Sequence, residues 1–221
     1  MAKRLVYVPN LHGNVLVAPF EIEFTWAPGL ATSQKQKNIR ALHDAAGKRN
    51  LPKVLEISTK SENATGVALS AFNLQLVLHS GVKGSVESIF QASKVFEHGG
   101  PYLDLLSKGS RVAKTDERLK SSGQLIGFQL EGDDWPLQPT TVFYDWLYLK
   151  ALVQNPELAN ELSNFDGFTD IEFNPQRSLN CQAASAALYV ALLKRDEPVI
   201  GLLRTRDRFV NRIVRANRKE S

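Results

Sequence analysis

Read at helical spacing, residues 84–100 separate into two faces. Val86, Ile89, Phe90 and Phe96 give an apolar stripe, while Glu87, Gln91, Lys94 and His98 recur at steps of four, three and four on the other side. The pattern predicts one helix that anchors in a core and presents an acid, an amide, an amine and an imidazole. A solvated helix with ordinary i,i+4 support displays the same polar face, so spacing alone leaves both readings open. Gly99-Gly100-Pro101 provides the stop.

The flanking pattern alternates short strands with helices. Residues 5–8 and 15–17 are strand candidates, and 20–26 alternates more cleanly before Pro28-Gly29 breaks it. Ser33, with Gln36 three residues on, predicts a capped helix packed through Ile39, Leu42, His43 and Ala46. Its first turns hold Gln34, Lys35, Gln36 and Lys37, and lysines near a positive dipole end are compatible with an anion there. Residues 54–57 read as a buried strand leading into the polar loop 58–63. Two short segments follow between 66 and 78, then the 84–100 helix, a helical turn over 102–106 and a strand within 123–132. Residues 142–154 form a buried helix, and Asn155-Pro156 starts another with Leu158, Leu162 and Phe165 as its packed stripe. In 168–175, Asp170 and Glu172 alternate with Ile171 and Phe173, which predicts two carboxylates on one face of a short strand. A small-residue helix over 182–193, capped from Ser178 or Asn180, precedes a basic amphipathic helix over 199–218. The expected fold class is α+β, predominantly helical with several short strands.

Composition narrows the chemistry. The 221 residues are 43% hydrophobic, enough for a substantial core without a second domain. A single cysteine, Cys181, excludes an internal disulfide framework and suits a reducing compartment. With no secretion signal and no apolar run near 18 residues, the expectation is a soluble, cytoplasmic protein without a membrane partner. Net charge is only +4, but Arg204, Arg206, Arg208, Arg212, Arg215, Arg218 and Lys219 concentrate a basic excess at the end of the chain, suited to phosphate or to plain solvation. No Gly-Lys-Ser/Thr phosphate loop and no Gly-x-Gly-x-x-Gly fingerprint is present. His12, His43, His79 and His98 are too scattered for a zinc site, and Asp116-Glu117 and Asp133-Asp134 are ordinary acidic loop pairs. What remains is metal-free acid/base or amine-assisted chemistry, with Glu87 able to move a proton and a lysine able to hold phosphate or act as a nucleophile.

Two blocks carry a family resemblance. Residues 69–76, Leu-Ser-Ala-Phe-Asn-Leu-Gln-Leu, and 85–96, Ser-Val-Glu-Ser-Ile-Phe-Gln-Ala-Ser-Lys-Val-Phe, resemble the two leading motifs of the NADAR family, proteins associated with NAD and ADP-ribose metabolism. Phe72 and Asn73 look like the first motif; Glu87, Phe90, Gln91, Ala92 and Lys94 look like the second, with Ser88 where the family usually has histidine. The resemblance continues through 143–152, 155–158 and 169–172, but the Trp-Gly pair that closes the family pattern is absent and Asn174-Pro175 follows Phe173. With 34–39 and 56–63 included, the chain more closely resembles the NADAR antitoxins paired with DarT-type toxins.

The resemblance implies a NADAR/YbiA-like single domain over 1–221, with an amino-terminal extension 1–53 packed on it and the basic helix 199–218. It implies an N-glycosidase, monomeric and free of cofactors, that removes ADP-ribose from guanine in single-stranded DNA modified by a DarT-type toxin. The partners are then the ADP-ribosylated single-stranded DNA, the toxin as functional counterpart, and free ADP-ribose as product. Glu87 is the first choice for proton transfer or water activation. Lys94 would orient it or contact the ribose, and Lys35 is a rival amine for a Schiff-base route; water attack and the covalent route both remain open. Ser58, Lys60, Ser61 and Asn73 are candidates around ribose and pyrophosphate, Phe72 or Phe90 for covering a base, and Gln91, Trp146, Asp170 and Glu172 for further substrate contact. Arg212 and Arg215 are the expected nucleic-acid contacts. The alternatives are a NADAR hydrolase of a small riboside or phosphoribosylamine, a non-catalytic ADP-ribose or nucleic-acid binding module, and a direct inhibitor of the toxin.

Overall fold

The computed structural model describes residues 1–173 and 181–216. The chain opens with strands β1 (Ala2–Pro9) and β2 (Val17–Phe24), helix α1 (Thr32–Gly47), strand β3 (Val54–Glu56), helix α2 (Ala64–Ala68) and strands β4 (Gln75–Val77) and β5 (Lys83–Ser85). Helix α3 (Val86–Ala92) and strand β6 (Lys94–Phe96) follow, then α4 (Ser110–Thr115), α5 (Arg118–Ser121), β7 (Leu125–Leu130) and β8 (Asp133–Trp135). The remainder is α6 (Val142–Gln154), α7 (Pro156–Glu161), β9 (Gly167–Thr169), α8 (Gln182–Lys194), α9 (Val199–Leu202) and α10 (Arg206–Ala216). The fold is mixed α+β, helix-rich with short strands. It divides into two compact units, one of Met1–Ser70 with Pro156–Val199, the other of Ala71–Asn155 with Ile200–Arg215.

The first unit is built on a four-stranded sheet of order β2-β1-β9-β3. Alternation in β2 turns Ile22 and Phe24 inward while Glu21 and Glu23 stay exposed, which fixes its register against β1 from Ala2 opposite Phe24 to Pro9 opposite Val17. Strand β9 joins β1 antiparallel and β3 parallel, with Glu56 opposite Thr169. Helix α1 lays Ile39, Leu42 and Ala46 on Val6, Ile22, Phe24 and Ile171. Buried Asn38 fastens its start, accepting from the Ala27 N–H at 2.7 Å and donating to the Ala27 carbonyl at 2.8 Å. The Arg195 guanidinium, just past α8, donates to the carbonyls of Asn10, His12, Gly13 and Val15 and so holds the β1–β2 loop.

The second unit is organised by α6, whose sequence is apolar nearly all round and whose Phe143, Trp146, Leu147, Tyr148 and Leu149 are buried. Phe90, Phe128, Trp135, Phe143 and Trp146 form one aromatic cluster, with centroid separations from 4.7 to 6.3 Å along its contacts. The sheet β6-β7-β8 and the hairpin β4–β5 complete this unit.

Several expected elements differ. The helix expected over 84–100 ends at Ala92, and Lys94–Phe96 is a strand paired with β7, Lys94 opposite Phe128 and Val95 opposite Gly127. The break falls at Ser93, whose hydroxyl bonds back to the Ile89 carbonyl at 2.8 Å and whose own carbonyl accepts from the Gln129 N–H at 2.7 Å. His98 therefore lies beyond a strand, its N–H on the Ser122 carbonyl. Val17 and residues 20–24 of the strand candidates 15–17 and 20–26 fall in one strand, β2, because pairing with β1 is continuous across Pro19, while 15–16 and 25–26 lie outside it. Ser33 is inside α1; the cap position is Ala31, without a side-chain bond. Strand β9 stops at Thr169, so Asp170 and Glu172 lie in a turn instead of along one strand face. The basic helix expected over 199–218 is interrupted between Leu202 and Arg206. Arg218, Lys219 and the proposed caps Ser178 and Asn180 fall outside the described residues. Among the described residues no helix is long and apolar enough to cross a membrane.

Gly66 in α2 is fixed by close approach. A Cβ there would run into the Glu56 carbonyl oxygen and the Ser61 hydroxyl, whereas one at Gly47 meets nothing within 4 Å. Gly66→Ala is expected to lower unfolding free energy by about 1–3 kcal/mol in a denaturant titration. Gly47→Ala should leave it unchanged or raise it by up to about 1 kcal/mol.

Candidate active site

The short helix α3 is locked at its start by hydroxyls. Ser85 Oγ accepts the Ser88 N–H at 3.0 Å and lies 2.8 Å from Ser88 Oγ and 2.7 Å from Ser110 Oγ. Ser88 Oγ donates to the Lys108 carbonyl at 2.8 Å, and Ser110 Oγ to the Phe72 carbonyl at 2.7 Å. These bonds tie α3 to α4 and to the loop after α2. The Glu87 N–H donates to the Ala71 carbonyl at 2.9 Å, which fixes the backbone of the acid itself.

Glu87 and Gln91 are each only 6% exposed. Gln91 Nε2 donates to Glu87 Oε1 at 2.9 Å, and Lys114 Nζ reaches the same oxygen at 3.5 Å. Lys114 also lies 4.9 Å over the Phe72 ring, and Lys94 Nζ lies 5.1 Å over the Phe90 ring. Burial pushes the Lys94 amine below its ordinary range; the Glu87 charge opposes that shift and the Lys114 charge adds to it. The result is a buried carboxylate paired with one amine on a largely exposed side chain, Lys114, and acting through its charge on a second, half-buried amine that is easier to deprotonate, Lys94.

The first unit holds a second cluster. Lys35 Nζ forms an ion pair with Glu172 Oε1 at 2.9 Å and lies 6.0 Å over the Trp26 ring. Asp170 Oδ1 accepts the N–H groups of Glu172 and Phe173 at 3.0 and 3.2 Å, and Oδ2 accepts Gln182 Nε2 at 3.0 Å. Buried Glu56 receives the Thr169 hydroxyl at 2.6 Å on Oε2 and the Ile171 N–H at 2.8 Å on Oε1. Thr169 Oγ1 lies 2.9 Å from His43 Nε2. A hydroxyl has one proton to give, so with Thr169 donating to Glu56 the ring nitrogen of His43 is the donor to Thr169. Burial pushes the Glu56 carboxyl up, lifts Asp170 to about 8 with the Glu56 charge adding to it, and lowers His43 to about 4. A cavity of about 150 Å³ lined in part by Arg4, Tyr7 and Asp170 is well below the roughly 300 Å³ at which ligand pockets begin.

The sequence-predicted residues thus fall into two groups. Glu87, Gln91, Lys94, Phe72 and Phe90 come together in the second unit; Lys35, Asp170 and Glu172 come together in the first. Lys94 lies on strand β6, not two turns along one helix from Glu87, and its amine feels the Glu87 charge. Ser58 and Ser61 are buried and their hydroxyls accept the N–H groups of Lys60 and Asn63, so both shape the loop, while Lys60 is half-buried and Asn73 exposed. Phe90 and Trp146 are core members of the aromatic cluster. On α10, Arg215 is exposed and Arg212 half-buried. Sequence reading missed Lys114 as well as the Glu56–Thr169–His43 chain. Nothing local marks Lys114, 27 positions from its carboxylate; Glu56, an acid inside an apolar strand pattern, did carry a signal. Among the described residues no group of three or more His, Cys, Asp or Glu side chains is placed to hold a metal ion.

A family model described as DarT1-associated NADAR antitoxin matches residues 2–221. No curated protein matches the chain.

The buried imidazole makes a pH prediction. His43 binds a proton at about 4 in the folded chain and near its ordinary 6.5 when unfolded. Its contribution to stability is complete above 6.5 and is lost as pH falls towards 4, because the unfolded chain binds more protons in that window. At pH 5 the loss is on the order of 1–2 kcal/mol. His43→Gln keeps a partner for Thr169 without titrating, and should flatten the decline in thermal midpoint between pH 6.5 and 4; an unchanged decline would place the sensitive group elsewhere.

Proposed function

The chain belongs to the DarT1-associated NADAR antitoxins, and from this we propose that it is an N-glycosidase that removes ADP-ribose from guanine in single-stranded DNA, acting in the cytoplasm as antitoxin to a DarT-type toxin. The observation that carries the reading is the buried Glu87 carboxylate, met on one oxygen by Gln91 and Lys114 and close enough to Lys94 for its charge to act on that amine. Hydrolysis at a ribose anomeric carbon needs a placed proton source and a nucleophile, and both residue types converge there.

In the proposed sequence the bond broken joins the guanine exocyclic nitrogen to C1 of the distal ribose. The Glu87 carboxylate takes the proton of the guanine nitrogen and passes it to the ring oxygen, so the C1–O bond breaks as a C=N bond forms and Glu87 is restored. The neutral Lys94 amine attacks C1, and the guanine nitrogen regains protons and leaves as the free amine. Water then hydrolyses the lysine–C1 imine, releasing ADP-ribose and restoring Lys94, so one water is consumed in all. Lys94 suits this step better than Lys35, whose nitrogen is held by Glu172 at 2.9 Å. Burial keeps part of Lys94 unprotonated nearer neutrality than an exposed lysine.

Incubation with an ADP-ribosylated guanine oligonucleotide should yield unmodified guanine and free ADP-ribose by mass spectrometry. Cleavage of small ribosides with no action on DNA would overturn the assignment. Glu87→Gln is expected to fold and to lose at least about 100-fold in turnover; near-normal turnover would remove Glu87 from the chemistry. Since the reacting amine must be neutral, the rate should climb with pH through the lowered Lys94 pKa, and Lys94→Arg should abolish turnover. Neutralising Arg212 and Arg215 together should weaken oligonucleotide binding mainly at low salt and reduce the salt slope by roughly one to two.

A further inference from the structure

The amide of Gln91 can sit in only one way. An ionised carboxylate accepts and never donates, so the NH₂ end must face Glu87, and Nε2 does so at 2.9 Å. Flipping the amide would set oxygen against oxygen and leave the NH₂ without that acceptor. The other end is then necessarily an acceptor, and Oε1 is buried with no hydrogen-bond partner in a side chain only 6% exposed. Buried acceptors are nearly always satisfied, so an exception beside Glu87 calls for an explanation, which a donor arriving with the ligand supplies. Lys114 brings a donor to Glu87, so the Gln91 Oε1 is the group there that calls for a donor from the ligand.

The geometry points to Gln91 as a specificity residue whose Oε1 accepts a hydrogen bond from an O–H or N–H of the substrate beside the bond that is cut. This rests on the function proposed above. In that substrate two donors flank the bond, a hydroxyl of the distal ribose and the guanine N1–H. Either satisfies the same oxygen. A base presenting an acceptor at that edge would leave it unpaired and bind more weakly.

The test is product inhibition with wild type, Gln91→Met and Gln91→Glu, using free ADP-ribose and an unmodified guanine oligonucleotide as separate inhibitors. Methionine fills the space without an acceptor and should raise the inhibition constant of one product by about 3- to 10-fold. A rise for ADP-ribose identifies the ribose hydroxyl, and a rise for the oligonucleotide identifies guanine N1–H. Gln91→Glu keeps an oxygen towards the ligand while losing the donor to Glu87, so it should restore most of the affinity without restoring turnover. A merely structural role would weaken both products alike in both variants, or neither, and either result overturns the inference. If wild type fails to release ADP-ribose from modified DNA, the proposed activity falls; if wild type is active and Gln91→Met binds both products normally, only this inference falls.

Discussion

A carboxylate removed from water must be met by donors or take up a proton. Glu87 is met by donors. The Gln91 amide and the Lys114 ammonium converge on one oxygen, and the backbone beneath is fixed by the Ala71 carbonyl and the hydroxyls of Ser85, Ser88 and Ser110. Without that scaffold α3 would be too short to hold an acid in place by helical hydrogen bonds alone. The acid in turn opposes the fall in the Lys94 pKa that burial causes.

Glu56 and Asp170, in the other unit, illustrate the second solution. Their donors are neutral groups, namely the Thr169 hydroxyl, the Gln182 amide and backbone N–H groups, and burial pushes both acids towards the protonated form. These bonds organise the turn after β9 that presents Glu172 to Lys35. The buried acids of the two units are thus met by different donors, a lysine and an amide at Glu87 and neutral groups alone at Glu56 and Asp170.

Much of this was legible in the chain. The continuous apolar run of α6, the Asn155-Pro156 helix start and the alternation in β2 follow from patterns that tertiary contacts do not contradict. Glu87 and Gln91 share one face of α3, as the helical spacing predicts, because both lie within one true helix. The pattern misled at Ser93: polar residues continued at helical spacing, but Val95 and Phe96 also suit a strand, and pairing with β7 decided between the two. The Asp170–Glu172 alternation failed for a related reason, since the Asp170 carboxylate takes the next two N–H groups and turns the chain out of β9. Lys114 was invisible because its contact with Glu87 is made by folding, across a separation that no local period records.

The central claim is that the buried Lys94 amine, paired in function with Glu87, forms the covalent link to ribose. Sodium borohydride added during turnover, followed by peptide mass mapping, tests it directly. The account predicts one reduced ADP-ribose adduct, on Lys94. Undiminished turnover with no adduct, or an adduct on Lys35, would contradict it.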